Sequence, residues 1–209
     1  MPRDAATLIL IDRAGRQPRI LLGRRRADLA FLPGKYVFPG GRVDASDRLD
    51  ASCSIPCWRG ELRPDVAEKL LSRMRGRASL RRARALARAA LRETHEETGL
   101  VVGGGVGGAL QELNFVARAI TPPGRVRRYD TRFFLADAAS VTGGTLGGDG
   151  ELTGLDWFTF GDARLLDLPS ITRLVVEDVV QLSRSGGSSF SNDVPYYYHR
   201  NGRFQRDLL

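Results

Sequence analysis

One stretch constrains the fold more than any other: residues 79–99 read as a single long helix. Leu80, Ala83, Leu86, Ala87, Ala90, Leu91 and Thr94 recur at steps of three and four, so they line one face that must be buried. Ser79 is suited to cap the N-terminus, and Gly99 to end the helix in a left-handed turn. Strand-like runs surround it. Residues 5–11 and 19–22 are β-branched and Leu-rich, and the turn signal at 13–16 makes them a hairpin. Residues 36–38 form a short strand that Pro39-Gly40-Gly41 turns sharply. Residues 110–120, 131–135 and 152–160 are further strands, the first two separated by the loop 121–124. A second helix covers 170–182, with Ile171, Leu174, Val175 and Val179 on its apolar face. Strands around a core with one long internal helix and one late helix give a mixed, layered domain.

Two regions do not fit that pattern. Residues 48–63 have little periodicity, and Pro64 starts a helix running to about residue 75, which Gly76 breaks. Residues 188–209 are polar and aromatic and read as an appendage. Glycines cluster at 103–108, 143–150 and 186–187, as loops rather than as a repeat.

Composition sets outer bounds. The chain has 209 residues and a formal net charge of +8, enough length for a core without disulfides or a structural metal. The positive balance favours phosphate-bearing partners, small molecules or nucleic acid; the alternative is a solvated arginine-rich surface. The two cysteines, Cys53 and Cys57, are too few for a secreted disulfide framework and for the four ligands of a structural zinc. They read as packing residues. No apolar run approaches the length that spans a bilayer, and no signal-peptide pattern opens the chain, so a cytoplasmic protein is expected.

The chemistry concentrates at the end of the long helix. Glu93, Glu96 and Glu97 lie within about 100° of one another on a helix. Like charges on one face repel, and the helix dipole disfavours anions in the last turn. Such a cluster suits a hard cation such as Mg²⁺ or Mn²⁺. The alternative is a solvated acidic helix end balanced by Arg88 and Arg92. His95 points about 200° away from Glu93 and is assigned no chemistry.

The flanking residues decide between these. Arg92-Glu93-Thr94-His95-Glu96-Glu97-Thr98-Gly99-Leu100 resembles the second half of the Nudix hydrolase box, with Thr94 where the family has an apolar residue. Phe38-Pro39-Gly40 and Gly41-Arg42-Val43-Asp44-Ala45-Ser46-Asp47 resemble the first half, with Asp47 in place of the usual Glu. Between Asp47 and Arg92 lie 44 residues where the family usually has seven, an insertion of 37. Long insertions cost little entropy when their ends are already close. The divided box is similar to that of the branch that includes peroxisomal coenzyme A diphosphatases. Arg127-Arg128-Tyr129-Asp130-Thr131-Arg132-Phe133-Phe134 and Leu168-Pro169-Ser170-Ile171-Thr172 look similar to that branch too.

The resemblance, over residues 5–183, implies an α+β fold: an α/β/α sandwich with a mixed sheet and a mainly helical insertion inside the box. Its domain would be residues 1–187, with the insertion at about 48–84 and residues 188–209 appended. It implies metal ligands Glu93, Glu96 and Glu97, completed by the carbonyl of Gly40 or Gly41, with Mg²⁺ or Mn²⁺ as cofactor. Arg92 would orient the glutamates, and Gly40 and Gly99 would shape the backbone. The general base would be Glu151, after the glycine loop 143–150 that could close over substrate, or Glu112 on a strand edge. Arg24, Arg25, Arg128 and Arg132 are candidate phosphate contacts. The implied activity is hydrolysis of a nucleoside diphosphate derivative, coenzyme A or its thioesters foremost, with nucleotide sugars or dinucleotides as the alternative. A non-catalytic binder of nucleotide or nucleic acid is the third possibility. The expected partner is a small-molecule diphosphate, without nucleic acid or membrane; a homodimer is compatible with the sequence.

Overall fold

The computed structural model describes residues 1–49, 58, 60–103, 109–184 and 193–209. Cys53, Cys57 and the glycines at 104–108 and 186–187 lie outside the described residues. Strand β1 (Arg3–Asp12) is the organising element. It pairs in parallel with β7 (Tyr129–Asp137) along almost its whole length. Its far end pairs antiparallel with β2 (Arg19–Arg25), and its near end with β4 (Gly40–Arg42). A strand covered on both faces needs apolar residues at successive positions, which explains the unbroken run Leu8-Ile9-Leu10-Ile11. Ala6, Leu8 and Leu10 face one core, and Ile9 and Ile11 the other.

The main sheet is mixed. Its order is β11 (Arg203–Leu208), β10 (Pro195–Arg200), β6 (Asn114–Ile120), β7, β1, β2 and β3 (Tyr36–Val37), with β9 (Leu152–Thr159) also on β2. A small second sheet joins β5 (Val101–Val102) to β8 (Val141–Gly143). One face carries α1 (Pro64–Leu71), the long helix α2 (Leu80–Thr98) and the short α3 (Ala109–Glu112). The other carries α4 (Phe160–Leu165) and α5 (Ser170–Arg184). This is an α+β fold in three layers.

Several elements differ from expectation for local reasons. Gly40 and Gly41 do not close a strand; they begin β4, because Gly40–Arg42 pairs with Thr7, Ala6 and Ala5. Residues 109–112 form a helical turn before β6 rather than its first half. Helix α1 ends at Leu71, short of residue 75, where Arg73 takes a positive φ of 49°. In α5 the buried stripe is Thr172, Val175, Val176, Val179 and Val180, and Leu174 faces outward. Residues 195–208, read as part of an appendage, are instead two strands of the main sheet: β10 runs parallel to β6, and β11 folds back on β10. Asn201 and Gly202, both at positive φ, make the tight turn between them.

A buried ionic network braces one end of the sheet. Arg118 grips Asp130 with two hydrogen bonds of 2.9 and 2.8 Å, and its guanidinium lies over the Tyr196 ring. Arg132 reaches Asp130 and Asp4, and Arg82 from α2 holds Asp4 with two bonds. Arg118, Arg132 and Asp130 are almost wholly enclosed.

Candidate active site

Helix α2 delivers the carboxylates. Ser79 Oγ accepts from the Arg82 N–H, and Gly99, at φ 75°, donates to the His95 carbonyl, so both expected caps form. The buried face anchors the last two turns against β1 and β4. Thr94, at a position usually apolar, satisfies its hydroxyl by donating to the Ala90 carbonyl at 2.7 Å. His95 stacks edge-on against Trp58, whose indole N–H donates to the Val102 carbonyl.

Glu97 is 2% exposed, and one of its oxygens accepts the Gly40 N–H at 2.8 Å. Glu93 lies directly against Gly41. A side chain on Gly41 would collide with the Glu93 carboxylate, and one on Gly40 would collide with Ala6 and Thr7. Gly40 is therefore required by the close approach of β4 to β1, whereas at Gly41 a side chain would displace the Glu93 carboxylate from its place. Burial pushes the Glu93 carboxyl up to about 7; Arg92 opposes this and the charges of Glu96 and Glu151 add to it. Burial pushes Glu97 up to about 8, against the Gly40 hydrogen bond and with the charges of Glu93 and Glu151.

Arg92 joins the two halves of the site. It reaches Asp47 with bonds of 3.0 and 3.1 Å, the Arg42 carbonyl at 3.1 Å, Glu93 at 3.0 Å and Glu96 at 2.8 Å. Burial weakens its charged form, but Asp47, Glu93 and Glu96 outweigh that, and its pKa is raised. Asp47 is itself buried and accepts the Asp44 N–H at 2.7 Å. Residues 45 positions apart in sequence are thus locked together by one guanidinium.

The expected triad is not gathered. Glu96 is turned outward into its ion pair with Arg92, its side chain 47% exposed. Among the described residues, no three acidic, His or Cys side chains stand together as a ready metal cage. The donor chemistry of Glu93 and Glu97 nevertheless fits a hard cation. Glu97 is a buried and Glu93 a half-buried oxygen donor, and the ionised form of each is disfavoured without one.

Glu151 and Glu112 are placed very differently. Glu151 ends the glycine loop, pairs with Arg25 at 2.8 Å, and its charge bears on both Glu93 and Glu97. Glu112 ends α3, not a strand edge. Among the arginines, Arg24 is exposed and donates to the Gly34 carbonyl, and Arg128 is half-buried and donates to the Thr121 carbonyl. Arg132 is a correction: at 0% exposure, tied to Asp4 and Asp130, it braces strands and offers nothing to a substrate. Its burial had no sequence signal, since a charged residue inside a strand defaults to the surface. The role of Asp47 had one, its place in the divided box.

No family model and no curated protein matches the chain. Solved structures do. The chain is similar to a NUDIX hydrolase from Alicyclobacillus acidocaldarius at 27% identity and a TM-score of 0.68, covering 91% of this chain and 97% of that one. It shares its fold with a MutT NUDIX hydrolase from Burkholderia pseudomallei, at 21% identity and a TM-score of 0.53, over 86% of this chain and 98% of that one. It also shares it with the NUDIX domain of Shewanella oneidensis NrtR, solved with ADP ribose, at 14% identity and a TM-score of 0.54, over 87% and 88%. Together with the three-layer fold and its mixed sheet, the near full-length likeness to the first of these places the chain in the Nudix hydrolase superfamily, as an enzyme of the pyrophosphohydrolase type.

Proposed function

We propose that the enzyme hydrolyses a nucleoside diphosphate derivative with Mg²⁺ or Mn²⁺ held by Glu93 and Glu97 and the backbone beside Gly41. The carrying observation is a pair of carboxylates, Glu97 buried and Glu93 half-buried, raised to about 8 and about 7 and converging on the Gly40–Gly41 backbone. Such a pair is costly to keep ionised by protein contacts alone, and a cation removes the cost. When bound, the ion supplies charge stabilisation for the diphosphate oxygens and acidifies a water. The chain's own residues do the rest. Arg92 fixes the two halves of the site, and Gly40 orients Glu97. Glu151 accepts a proton from the water that attacks phosphorus as the P–O bond to the leaving phosphate breaks. Of the four candidate arginines, Arg24 and Arg128 keep the most exposure for phosphate; Arg128 belongs to the branch-like segment.

Within that class, coenzyme A and its thioesters are the first substrates to try. Support comes from the divided box and from Leu168-Pro169-Ser170-Ile171-Thr172. The segment from Arg128 to Arg132 supports it less, because Asp130 and Arg132 are engaged in the buried network. ADP-ribose and dinucleotides are the rivals. The test is a panel of coenzyme A, ADP-ribose, NADH and diadenosine polyphosphates with Mg²⁺ or Mn²⁺, for wild type and Glu97→Gln. Hydrolysis by wild type and not by the variant supports the proposal. Cleavage of another compound with coenzyme A untouched removes the branch assignment. Equal inactivity of both proteins on the whole panel favours a binding protein.

A further inference from the structure

The glycine loop 143–150 reads in sequence as a lid, and Arg25 as a phosphate contact. Both stand differently in the structure. The loop lies on the last turn of α2, where helix carbonyls lack partners of their own. The Gly147 N–H donates to the Thr98 carbonyl at 3.0 Å, and the Asp149 N–H to the Glu96 carbonyl at 2.8 Å. Side chains on Gly144 and Gly148 would strike the carbonyls of Gly99 and Glu97. The glycines at these positions let backbone meet backbone, a use distinct from mobility.

Glu151 leaves this strap held from three sides. Its N–H donates to the Asp149 carboxylate at 2.9 Å, and its carbonyl accepts the Arg26 N–H at 3.2 Å. Its carboxylate meets Arg25 Nη2 at 2.8 Å. Arg25 is itself fixed, donating through Nε to the Phe31 carbonyl at 2.8 Å, and its side chain is only 13% exposed. A guanidinium occupied at both ends and largely covered is poorly placed to receive a phosphate.

We propose that Arg25 is a positioning residue: from β2 it holds the Glu151 carboxylate at the end of a loop strapped to the carboxylate-bearing helix. This rests on the proposed role of Glu151 as base. It also makes the 143–150 loop a fixed mount rather than a lid. The same helix end then sets both Glu97, through its side chain, and Glu151, through the loop on its carbonyls.

The experiment is a double-mutant cycle in steady-state kinetics, on whichever substrate the panel identifies. It uses Arg25→Ala, Arg25→Lys, Glu151→Gln, and a double variant that carries Arg25→Ala together with Glu151→Gln. Glu151→Gln is expected to lower kcat by about 100-fold or more. Arg25→Ala should lower kcat by about 10- to 100-fold with KM within about twofold, the signature of a misplaced group. Arg25→Lys should restore part of that loss. In the Glu151→Gln background, Arg25→Ala should change kcat by less than about twofold, because both act through one carboxylate. A rise in KM with kcat intact, or an undiminished effect of Arg25→Ala without Glu151, overturns the proposal. Glu97→Gln runs alongside: if it keeps full activity, the functional reading of the site fails, whatever Arg25 does. Hydrogen exchange on the free protein gives a readout without turnover. Slow exchange at the Gly147 and Asp149 amides is expected in wild type, and fast exchange there identifies a lid and contradicts the mount.

Discussion

Two charge clusters sit in this molecule, one served by each end of α2, and they are built on opposite terms. At the N-terminal end, Arg82 joins Arg118, Arg132, Asp4 and Asp130, with three guanidiniums against two carboxylates. At the C-terminal end, Arg92 faces Asp47, Glu93 and Glu96, while Glu97 accepts the Gly40 N–H and feels Arg25 from a distance. In the first cluster every carboxylate is gripped by arginine, and Asp4, despite burial, lies below the usual carboxylate range because Arg82 and Arg132 hold it. In the second, burial drives Glu93 and Glu97 upward, and neither Arg92 beside Glu93 nor the more distant Arg25 on Glu97 offsets it. The difference separates structure from function. Carboxylates that the fold neutralises brace strands; carboxylates left in surplus beside the half-buried Gly40–Gly41 pair suit a cation from outside.

The comparison breaks most sharply if the two clusters respond alike to loss of one carboxylate. Glu97→Gln should cost activity by about 100- to 1000-fold, the scale of losing one preorganised charge-stabilising group, while the protein stays folded by circular dichroism. Asp130→Ala should do the reverse. It leaves Arg118 buried without its carboxylate and Arg132 with Asp4 alone, and denaturant unfolding should show a loss of about 3–5 kcal/mol.

A smaller effect comes from pH. The folded-state values of Glu93 and Glu97 lie above their unfolded value of 4.5. The folded state therefore binds their protons more tightly, and the stability this contributes is full below pH about 4.5. It declines as pH rises through about 7 for Glu93 and about 8 for Glu97. Metal-free protein should lose thermal stability between pH about 4.5 and about 8 through this pair, and Glu97→Gln should flatten the curve. Asp4 has the opposite sign: its lowered pKa contributes stability that persists at neutral pH and is lost only in acid. The smallest expected change in stability is in Gly41→Ala, which displaces the flexible Glu93 carboxylate and should cost activity more than stability, checked by kinetics beside denaturant unfolding.

The same contrast governs what was legible in the sequence. Helix α2, its Ser79 and Gly99 caps, the β1–β2 hairpin and α5 all follow from periodicity and local chemistry, which sequence carries directly. The first half of the site was legible only through spacing around Asp47, since nothing local says that Asp47 meets Arg92. The N-terminal cluster was not legible, because buried arginines in strands run against every burial tendency and depend on partners from four elements. The C-terminal hairpin was hidden differently. β11 is an edge strand whose exposed Arg203 and Arg206 mask its pattern, although Asn201-Gly202 is a hairpin signal that stood in plain view. The glycine loop 143–150 carries a related ambiguity: a glycine run does not distinguish freedom to move from freedom to approach.

The most direct measurement is the position of a Mn²⁺ ion in crystals soaked at pH about 8, located by its anomalous scattering. A peak bounded by the Glu93 and Glu97 carboxylates and the backbone at Gly41, and lost in Glu97→Gln, is the predicted result. No peak there, or one that survives Glu97→Gln unchanged, contradicts the account.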